Sequence, residues 1–303
     1  MRIVFIGAVE FSRHCLEEVL RQGGHVVGVL NPEQRHAAMN SDYTDLAPVA
    51  TKGGIPLYRF RRVKDPETVQ IIRTLQPDII FAFGLSQLIP KEILEVPTKG
   101  CIGVHPALLP RNRGRHPLIW ALVQGLAESG LTFFYMDEGA DSGDILWQES
   151  FHITLEDDAG SLYAKIEELA SEAIREFLPD LHAGTASRRP QDHSLATYLR
   201  KRGEEEGCID WCGPAMKAYN LIRALSHPYL GAHTFLGNQR MIVWKSRLCG
   251  CGESHLTGIP GEIVKETAGG VLVKCGEGAL EILEWEGVRR AEFRVGVKLG
   301  TAQ

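Results

Sequence analysis

The chain has 303 residues, more than most single domains, so two domains are predicted. Hydrophobic residues make up 44% and charged residues 23% of the sequence, as in a folded globular protein and unlike a disordered one. The formal net charge of -5 gives no global attraction for nucleic acid or anionic membranes, although a local basic patch is compatible with it. The charge counts mildly against an RNA substrate, and no nucleic acid partner is predicted.

The first element of the chain is a short apolar run, Arg2 to Ile6 (RIVFI). The N-terminal MRIVFIG is too short and too strand-like for a signal peptide, and no apolar run is long enough to cross a membrane. The sequence therefore predicts a cytoplasmic protein without a membrane partner.

Strands and helices alternate through the first half of the chain, which predicts an α/β fold with a Rossmann-like, doubly wound and mostly parallel sheet. After the first strand, apolar residues at helical spacing run from Phe11 to Leu20, and a helix is predicted to begin after Asp65. The other predicted strands are His25 to Leu30, Ile79 to Gly84, Cys101 to Val104, Leu131 to Met136 and Ile145 to Ile153, and the other predicted helices are Pro117 to Val123 and about Asp157 to Leu181.

Three regions are predicted along the chain: a catalytic domain at 1–184, a linker at 185–206 and a smaller β-rich, barrel-like domain at 207–303. The linker holds little apolar material and shows no period. The third region has one helix, Pro214 to Leu225, followed by short strand-like runs separated by Gly-rich turns. This barrel-like pattern leaves open whether the region supports a homodimer.

Seven cysteines are scattered along the chain, which is not the pattern of a secreted disulfide framework. Cys208 with Cys212 and Cys249 with Cys251 have CxxxC and CxC spacings, which depart from the CxxC of zinc sites. No metal is predicted.

The first strand is followed by GAVEF rather than GxGxxG, so the dinucleotide fingerprint is absent at its usual place. In open α/β sheets ligands bind beyond the carboxyl ends of the strands. The candidate site therefore lies in the segments after Ile6, Phe83, Val104 and Met136.

Two of these segments carry groups suited to acid–base chemistry. His105 directly follows one strand, and YMDEGADSGDIL places Asp137, Glu138, Asp141 and Asp144 in a loop after another. A carboxylate at a neighbouring strand end can orient an imidazole and stabilise its protonated form. A hydrogen-bonded turn histidine beside an acidic solvent loop is the alternative interpretation.

These segments, together with FAFGLSQLIPKEIL (Phe81 to Leu94), resemble the glycinamide-ribonucleotide-transformylase-like superfamily of N10-formyltetrahydrofolate enzymes. Cys208 to Trp244 resembles the start of the C-terminal domain shared by methionyl-tRNA formyltransferases and several amino-sugar formyltransferases. The resemblance covers almost the whole chain. It implies an N-formyltransferase that uses N10-formyltetrahydrofolate as formyl donor.

By motif, His105 matches the catalytic histidine of the family and Asp144, the last acid of DSGD, matches its catalytic aspartate. The family pattern NVHxSLLP has an asparagine two positions before the histidine, whereas this chain has Gly103. Loss of one donor to the tetrahedral oxyanion typically costs about 10²–10³ in rate. The His105 imidazolium with a backbone N–H near Gly103 is the preferred replacement, and the Asn112 amide is an alternative.

The resemblance also implies two segments that hold the folate. The first is the loop after the Ile79 to Gly84 strand, and the second is the DEGADSGD loop closing over the pterin. The residues predicted to bind the donor are Phe83, Gly84, Leu85, Leu88, Glu138, Gly139, Ala140 and Asp141.

The acceptor amine is predicted from segments in which branches of the family differ. Methionyl-tRNA formyltransferases carry a basic, Gly-rich insertion after the second strand, whereas Asn31 to Ala50 has one Arg, no Lys and three acids. Pro110 to Trp120 (PRNRGRHPLIW) is more similar to the RGR(A/H)PLxW of amino-sugar formyltransferases. Arg113 and Arg115 could hold the diphosphate or carboxylate of an activated sugar.

A nucleotide-linked amino sugar is therefore the predicted acceptor, with polysaccharide or glycoconjugate biosynthesis as the setting. Methionyl-tRNA formylation is the first alternative, and hydrolysis of formyltetrahydrofolate by the same residues is another. A third is a non-catalytic folate- or sugar-nucleotide-binding protein that lost activity with the asparagine.

Overall fold

The structure is a computed structural model that describes residues 1–33, 43–249 and 257–300. The chain forms two compact units. Unit 1 comprises Met1–Pro117, Glu128–His152 and Tyr163–Arg200, and unit 2 comprises Leu118–Ala127, Ile153–Leu162 and Lys201–Gln303. Unit 2 thus includes two short segments, 118–127 and 153–162, that precede the predicted linker in the chain.

A seven-stranded sheet forms the centre of unit 1. The strands of this unit are β1 (Arg2–Ile6), β2 (His25–Pro32), β3 (Leu57–Phe60), β4 (Ile79–Ala82), β5 (Cys101–His105), β6 (Arg113–Gly114), β7 (Glu128–Tyr135), β8 (Ile145–His152) and β9 (Tyr198–Leu199). The sheet order is β3-β2-β1-β4-β5-β7-β8, in which β1 to β5 are parallel and β7 and β8 are antiparallel additions. The predicted Rossmann-like sheet is confirmed.

Seven helices accompany the strands of the described chain: α1 (Glu10–Arg21), α2 (Ala47–Lys52), α3 (Pro66–Leu75), α4 (Lys91–Leu94), α5 (Pro117–Val123), α6 (Ala159–Ala183) and α7 (Ala215–Leu225). The α3 helix begins at a proline, whose fixed φ suits the first helical position, and ends before Gln76 in the left-handed region. Short 3₁₀ helices lie at His193–Leu195, Glu205–Gly207 and Arg290–Glu292. No helix among the described residues is both long enough and apolar enough to cross a membrane.

The core of unit 1 is built around packed phenylalanine rings. Phe81 and Phe83 are stacked with their ring centroids 5.1 Å apart, and Phe133 meets Phe83 edge-on at 5.1 Å. Phe5 also contacts Phe83 edge-on. All four rings are fully buried, so the sheet is fixed immediately below the carboxyl ends of β1 and β4.

Unit 2 contains a six-stranded antiparallel sheet in the order β12-β13-β14-β11-β10-β15. Its strands are β10 (Ala232–Leu236), β11 (Gln239–Leu248), β12 (Ile263–Glu266), β13 (Val271–Lys274), β14 (Ala279–Glu286) and β15 (Leu299–Gly300). Ala218 and Ile222 of α7 are buried in one cluster with Met241 and Val243 of β11. The predicted β-rich second domain is confirmed.

The order of the parallel strands reverses between β1 and β4, since β2 and β3 lie on one side of β1 and β5 lies beyond β4. Such a reversal opens a crevice at the carboxyl ends of the strands, where open α/β sheets bind their ligands. The segments that follow Ile6, Ala82 and His105 therefore meet at this edge of unit 1.

Candidate active site

His105 is the last residue of β5 and lies at this edge with only 4% of its surface exposed. Its Nε2 is 2.7 Å from the backbone carbonyl oxygen of Asn112. A carbonyl oxygen only accepts hydrogen bonds, so Nε2 carries a hydrogen and donates it. This bond leaves Nδ1 as the ring nitrogen that can gain or lose a proton.

Asp141 faces that second nitrogen. Its Oδ2 lies 3.6 Å from Nδ1 of His105, which is an ion-pair distance rather than a hydrogen bond. The same oxygen accepts a 2.8 Å hydrogen bond from the backbone N–H of Gly114. Because the loop turns here through a left-handed backbone (φ 53°) at Asp141, the carboxylate is directed at the imidazole.

Asp144, the predicted catalytic aspartate, is placed differently. Its backbone carbonyl oxygen accepts a 2.8 Å hydrogen bond from the N–H of Tyr135, and the residue is half-buried. The structure brings Asp141, which was predicted to bind folate, to His105 instead. The catalytic role of Asp144 stays a prediction, while the pairing with the imidazole belongs to Asp141.

Arg113 is one of the largest fully buried side chains in the molecule, with 2% exposure. Its guanidinium donates to Gln191 Oε1 at 2.6 Å and to the Tyr198 hydroxyl at 3.1 Å, and Nη2 lies 3.0 Å from His193 Nδ1. These contacts occupy the guanidinium inside the protein. Arg115, in contrast, is exposed and reaches the Ser86 carbonyl oxygen at 3.3 Å.

The loop after β4 carries the first set of residues predicted to bind folate. Phe83 belongs to the core, and its carbonyl oxygen accepts a 2.6 Å hydrogen bond from Ser12 Oγ. Gly84 has φ 69°, and a Cβ there would meet Val9 and Ser12 at 2.5 and 2.6 Å, so the turn requires glycine. Leu85 is half-buried, but 75% of Leu88 is exposed. Leu88 therefore presents an apolar surface to solvent, and its role in binding the folate stays a prediction.

The DEGADSGD loop carries the second set of residues predicted to bind folate. Glu138, Gly139 and Ala140 are exposed, and Glu138 Oε1 forms a 2.9 Å ion pair with Lys91 Nζ at the start of α4. The Glu138 carboxylate raises the pKa of Lys91 above its usual value. This ion pair links the two loops to which folate binding is assigned, and the binding roles of the individual residues stay predictions.

Sequence reasoning missed the contribution of the segment after α6. Gly114 and Arg113 of β6 pair in parallel with β9, and the Thr197 hydroxyl accepts a 2.8 Å hydrogen bond from the Asn112 N–H. Thr197 Oγ1 also lies 3.4 Å from Asn112 Oδ1. The segment was predicted as a linker because it has few apolar residues, but it contacts the site through hydrogen bonds.

Part of the segment used to predict the acceptor lies outside the described residues. Positions 34–42 of Asn31 to Ala50, which include Arg35 and Asp42, are not among the described residues. Of its other acids, Asp45 forms a 2.5 Å ion pair with Arg59 of β3.

Within residues 1–33, 43–249 and 257–300, no group of three or more His, Cys, Asp or Glu side chains is arranged to hold a metal ion. Cys251 of the CxC pair lies outside these ranges, whereas Cys208, Cys212 and Cys249 are free thiols. The predicted absence of a metal stays a prediction.

A buried imidazole paired with a half-buried carboxylate at the carboxyl edge of a Rossmann-like sheet is typical of an enzyme that moves protons during catalysis. The model of the family described as formyl transferase matches residues 1–178, and that of the formyl transferase C-terminal domain matches residues 202–293. The chain belongs to the formyl transferase family. It is a folate-dependent N-formyltransferase whose donor is N10-formyltetrahydrofolate, as the sequence predicted.

Curated relatives span nearly the whole chain. The methionyl-tRNA formyltransferase of Geobacter sulfurreducens is 36% identical over 306 residues, covering 99% of this chain and 95% of the relative. That of Acidithiobacillus ferrooxidans is 38% identical over 286 residues, covering 93% of this chain and 90% of the relative.

Solved structures share the fold at low identity. HypX from Aquifex aeolicus in complex with tetrahydrofolic acid matches with a TM-score of 0.67 and 20% identity, over 95% of this chain and 44% of that one. An N-formyltransferase from Helicobacter canadensis in complex with folinic acid and dTDP-3-aminofucose matches with a TM-score of 0.64 and 16% identity, over 94% of this chain and 99% of that one.

The predicted acceptor, a nucleotide-linked amino sugar, is wrong, and so is the predicted lack of a nucleic acid partner. Both conflict with the methionyl-tRNA formyltransferases that are 36–38% identical over 93–99% of the chain. The prediction relied on the short Pro110 to Trp120 motif and on the acidity of Asn31 to Ala50. Arg113, one of the two arginines assigned to the sugar nucleotide, is also buried and donates hydrogen bonds to Gln191 of the same chain.

Proposed function

We propose that this enzyme formylates the α-amino group of methionyl-tRNA. The observation that carries the proposal is the 36% identity with a methionyl-tRNA formyltransferase over 99% of the chain. Both formyl transferase domains are present, the first at residues 1–178 and the C-terminal domain at residues 202–293. A cytoplasmic location and a homodimer stay predictions.

The reaction replaces one N–C bond by another. The amino nitrogen of the methionyl ester attacks the formyl carbon, a tetrahedral oxyanion forms, and the bond from that carbon to N10 of the folate breaks. The ammonium loses one proton before its nitrogen can attack. The same nitrogen loses a second proton as the amide forms, and N10 of the folate gains a proton as it departs. The site must therefore hold a base and later return a proton.

His105 and Asp141 are suited to this task. Nδ1 of His105 can take up a proton while Nε2 keeps its hydrogen bond to the Asn112 carbonyl. The Asp141 carboxylate, 3.6 Å from Nδ1, then stabilises the imidazolium, and the distance can shorten once a substrate is bound. The positive charge of the imidazolium lies near the developing oxyanion and stabilises it, which limits the cost of Gly103 in place of asparagine.

Incubation of the purified protein with N10-formyltetrahydrofolate and charged initiator tRNA tests the proposal. We expect formyl-methionine to be released from the tRNA by mild base, and tetrahydrofolate to form in equal amount. Free methionine and uncharged tRNA serve as controls. The KM for the charged tRNA should rise steeply with salt, because phosphate contacts dominate such binding. Turnover of the donor with no formyl-methionyl-tRNA would contradict the proposal.

Activity is expected to be independent of zinc or iron, since a base and an electrostatically stabilised oxyanion suffice for formyl transfer to an amine. The reagent of choice is 1,10-phenanthroline, which takes zinc and iron but spares the magnesium that tRNA requires. The initial rate should change by less than about twofold. A loss of rate that added zinc restores would show that a metal takes part.

A further inference from the structure

Gln191 lies between α6 and β9, and only 6% of its surface is exposed. Its Nε2 donates to two carbonyl oxygens of the DEGADSGD loop, that of Asp141 at 3.0 Å and that of Gly143 at 2.6 Å. Its Oε1 accepts from two nitrogens of Arg113, Nη2 at 2.6 Å and Nε at 3.3 Å. Both donors and both acceptor positions of the carboxamide are thus used.

The guanidinium end of this arrangement is fixed. Arg113 is enclosed in the protein, and its remaining contacts are with the Tyr198 hydroxyl and His193 Nδ1. The backbone of Arg113 is also tied down, because its N–H donates to the Thr197 carbonyl oxygen at 2.9 Å. Arg113 therefore serves as a rigid anchor to which Gln191 can attach a less constrained segment.

The loop end requires such an attachment. Asp141 adopts the left-handed backbone conformation, which is uncommon for residues other than glycine although aspartate adopts it more readily than most, and residues 137–140 before it are exposed. The Asp141 carboxylate accepts a hydrogen bond from the Gly114 N–H. Without Gln191 the loop could relax and carry the carboxylate away from His105.

We propose that Gln191 is a positioning residue of the formyl-transfer site, which fixes the Asp141–Gly143 turn to the buried Arg113 and thereby sets the distance from Asp141 to His105. This rests on the proposed function only in that His105 and Asp141 are taken as the reacting pair. The segment at 188–199 is accordingly part of the catalytic unit and does more than connect domains.

Gln191→Glu tests the contacts of Gln191 with the loop separately from its contacts with Arg113. A glutamate keeps oxygen acceptors for Arg113, so the buried guanidinium stays paired, but it presents oxygen instead of NH₂ to the two loop carbonyls. We expect a Tm within a few degrees of the parent protein. The kcat for methionyl-tRNA should fall about tenfold while both KM values stay within about threefold, since misplacement of a catalytic group mainly affects the chemical step.

Hydrogen exchange of the amides in residues 137–144 provides a readout that does not depend on activity. Exchange in this loop should be at least tenfold faster in Gln191→Glu than in the parent protein. Asn220→Asp is the matched control, because Asn220 Oδ1 accepts a 2.9 Å hydrogen bond from the buried Arg223 within unit 2. Asn220→Asp should keep both the exchange rate of the 137–144 loop and kcat within about twofold of the parent protein.

Loop exchange in Gln191→Glu equal to that of the parent protein would overturn the proposal, as would an equal acceleration in Asn220→Asp. The proposed function is judged separately, on the parent protein alone. If the parent does not formylate methionyl-tRNA, loop exchange still decides whether Gln191 fixes the turn.

Discussion

His105→Ala and Asp141→Asn are each expected to lower kcat for formyl transfer by about 10²–10⁴, the usual range for loss of a general acid–base group. His105→Ala removes the nitrogen that takes up the proton. Asp141→Asn keeps the shape of the side chain and removes the charge next to Nδ1 of His105. Single-turnover rates with saturating donor and methionyl-tRNA measure the chemical step directly, and the KM values should change little.

Asp144→Asn is the matched control, since it makes the same change three residues further along the same loop. We expect a loss of less than about tenfold, because the contact that the structure gives Asp144 is made by its backbone carbonyl oxygen. A loss of at least 10² in Asp144→Asn, with near-parental rates in Asp141→Asn, would return the catalytic role to Asp144 as the sequence motif suggested. Near-parental turnover of His105→Ala would remove the histidine from the mechanism.

The architecture of this protein could be predicted largely from apolar runs. Residues 3–6, 79–82 and 101–103 are buried on both faces of the sheet, so these runs contain no polar or charged side chain. The β3 strand, LYRF, escaped prediction because it is short and only partly buried. Tertiary pairing with β2 rather than local pattern makes it a strand.

The site was predictable to the level of loops rather than side chains. Strand ends placed His105 and the acidic loop together, but nothing in the spacing of DEGADSGD shows which carboxylate meets the imidazole. That choice depends on the left-handed turn at Asp141, which is held by Gly114 and Gln191. Arg113 was assigned to substrate because a guanidinium suits the diphosphate or carboxylate of an activated sugar. Its burial depends on polar partners some 80 residues away in the chain, which the local sequence does not show.

Gly103 is the position at which this chain departs from the family motif, and side chains crowd the space beside it. A Cβ at Gly103 would lie 3.0 Å from Phe134 Cζ and 3.0 Å from Met136 Cγ. Phe134 is 2% exposed and packs with Leu109 and Ile145, so its ring has little room to move. The first side-chain atom of an asparagine would thus fit only if Phe134 and Met136 each moved by a few tenths of an ångström.

Gly103→Asn is therefore expected to lower the free energy of unfolding by about 1–3 kcal/mol, as overpacking of a core usually does. It should also lower kcat/KM at least tenfold, because His105 lies on the same face of β5 two residues away and moves with the strand. Denaturant unfolding and initial rates with methionyl-tRNA measure the two effects. Gly103→Ala should show part of both losses, since crowding begins at Cβ.

The double variant Gly103→Asn, Phe134→Leu separates crowding from chemistry. The smaller leucine leaves space beside β5, so the double variant should recover stability relative to Gly103→Asn alone, and the two changes should be non-additive because the side chains touch. If the added amide then faces the oxyanion, the rate rises above that of Phe134→Leu by up to the 10²–10³ that such a donor typically supplies. If His105 already stabilises the oxyanion, the rate stays within about threefold of that single variant. A hundredfold rise in Gly103→Asn alone would contradict the crowding explanation and would mean that the parent site lacks a donor which it can readily accept.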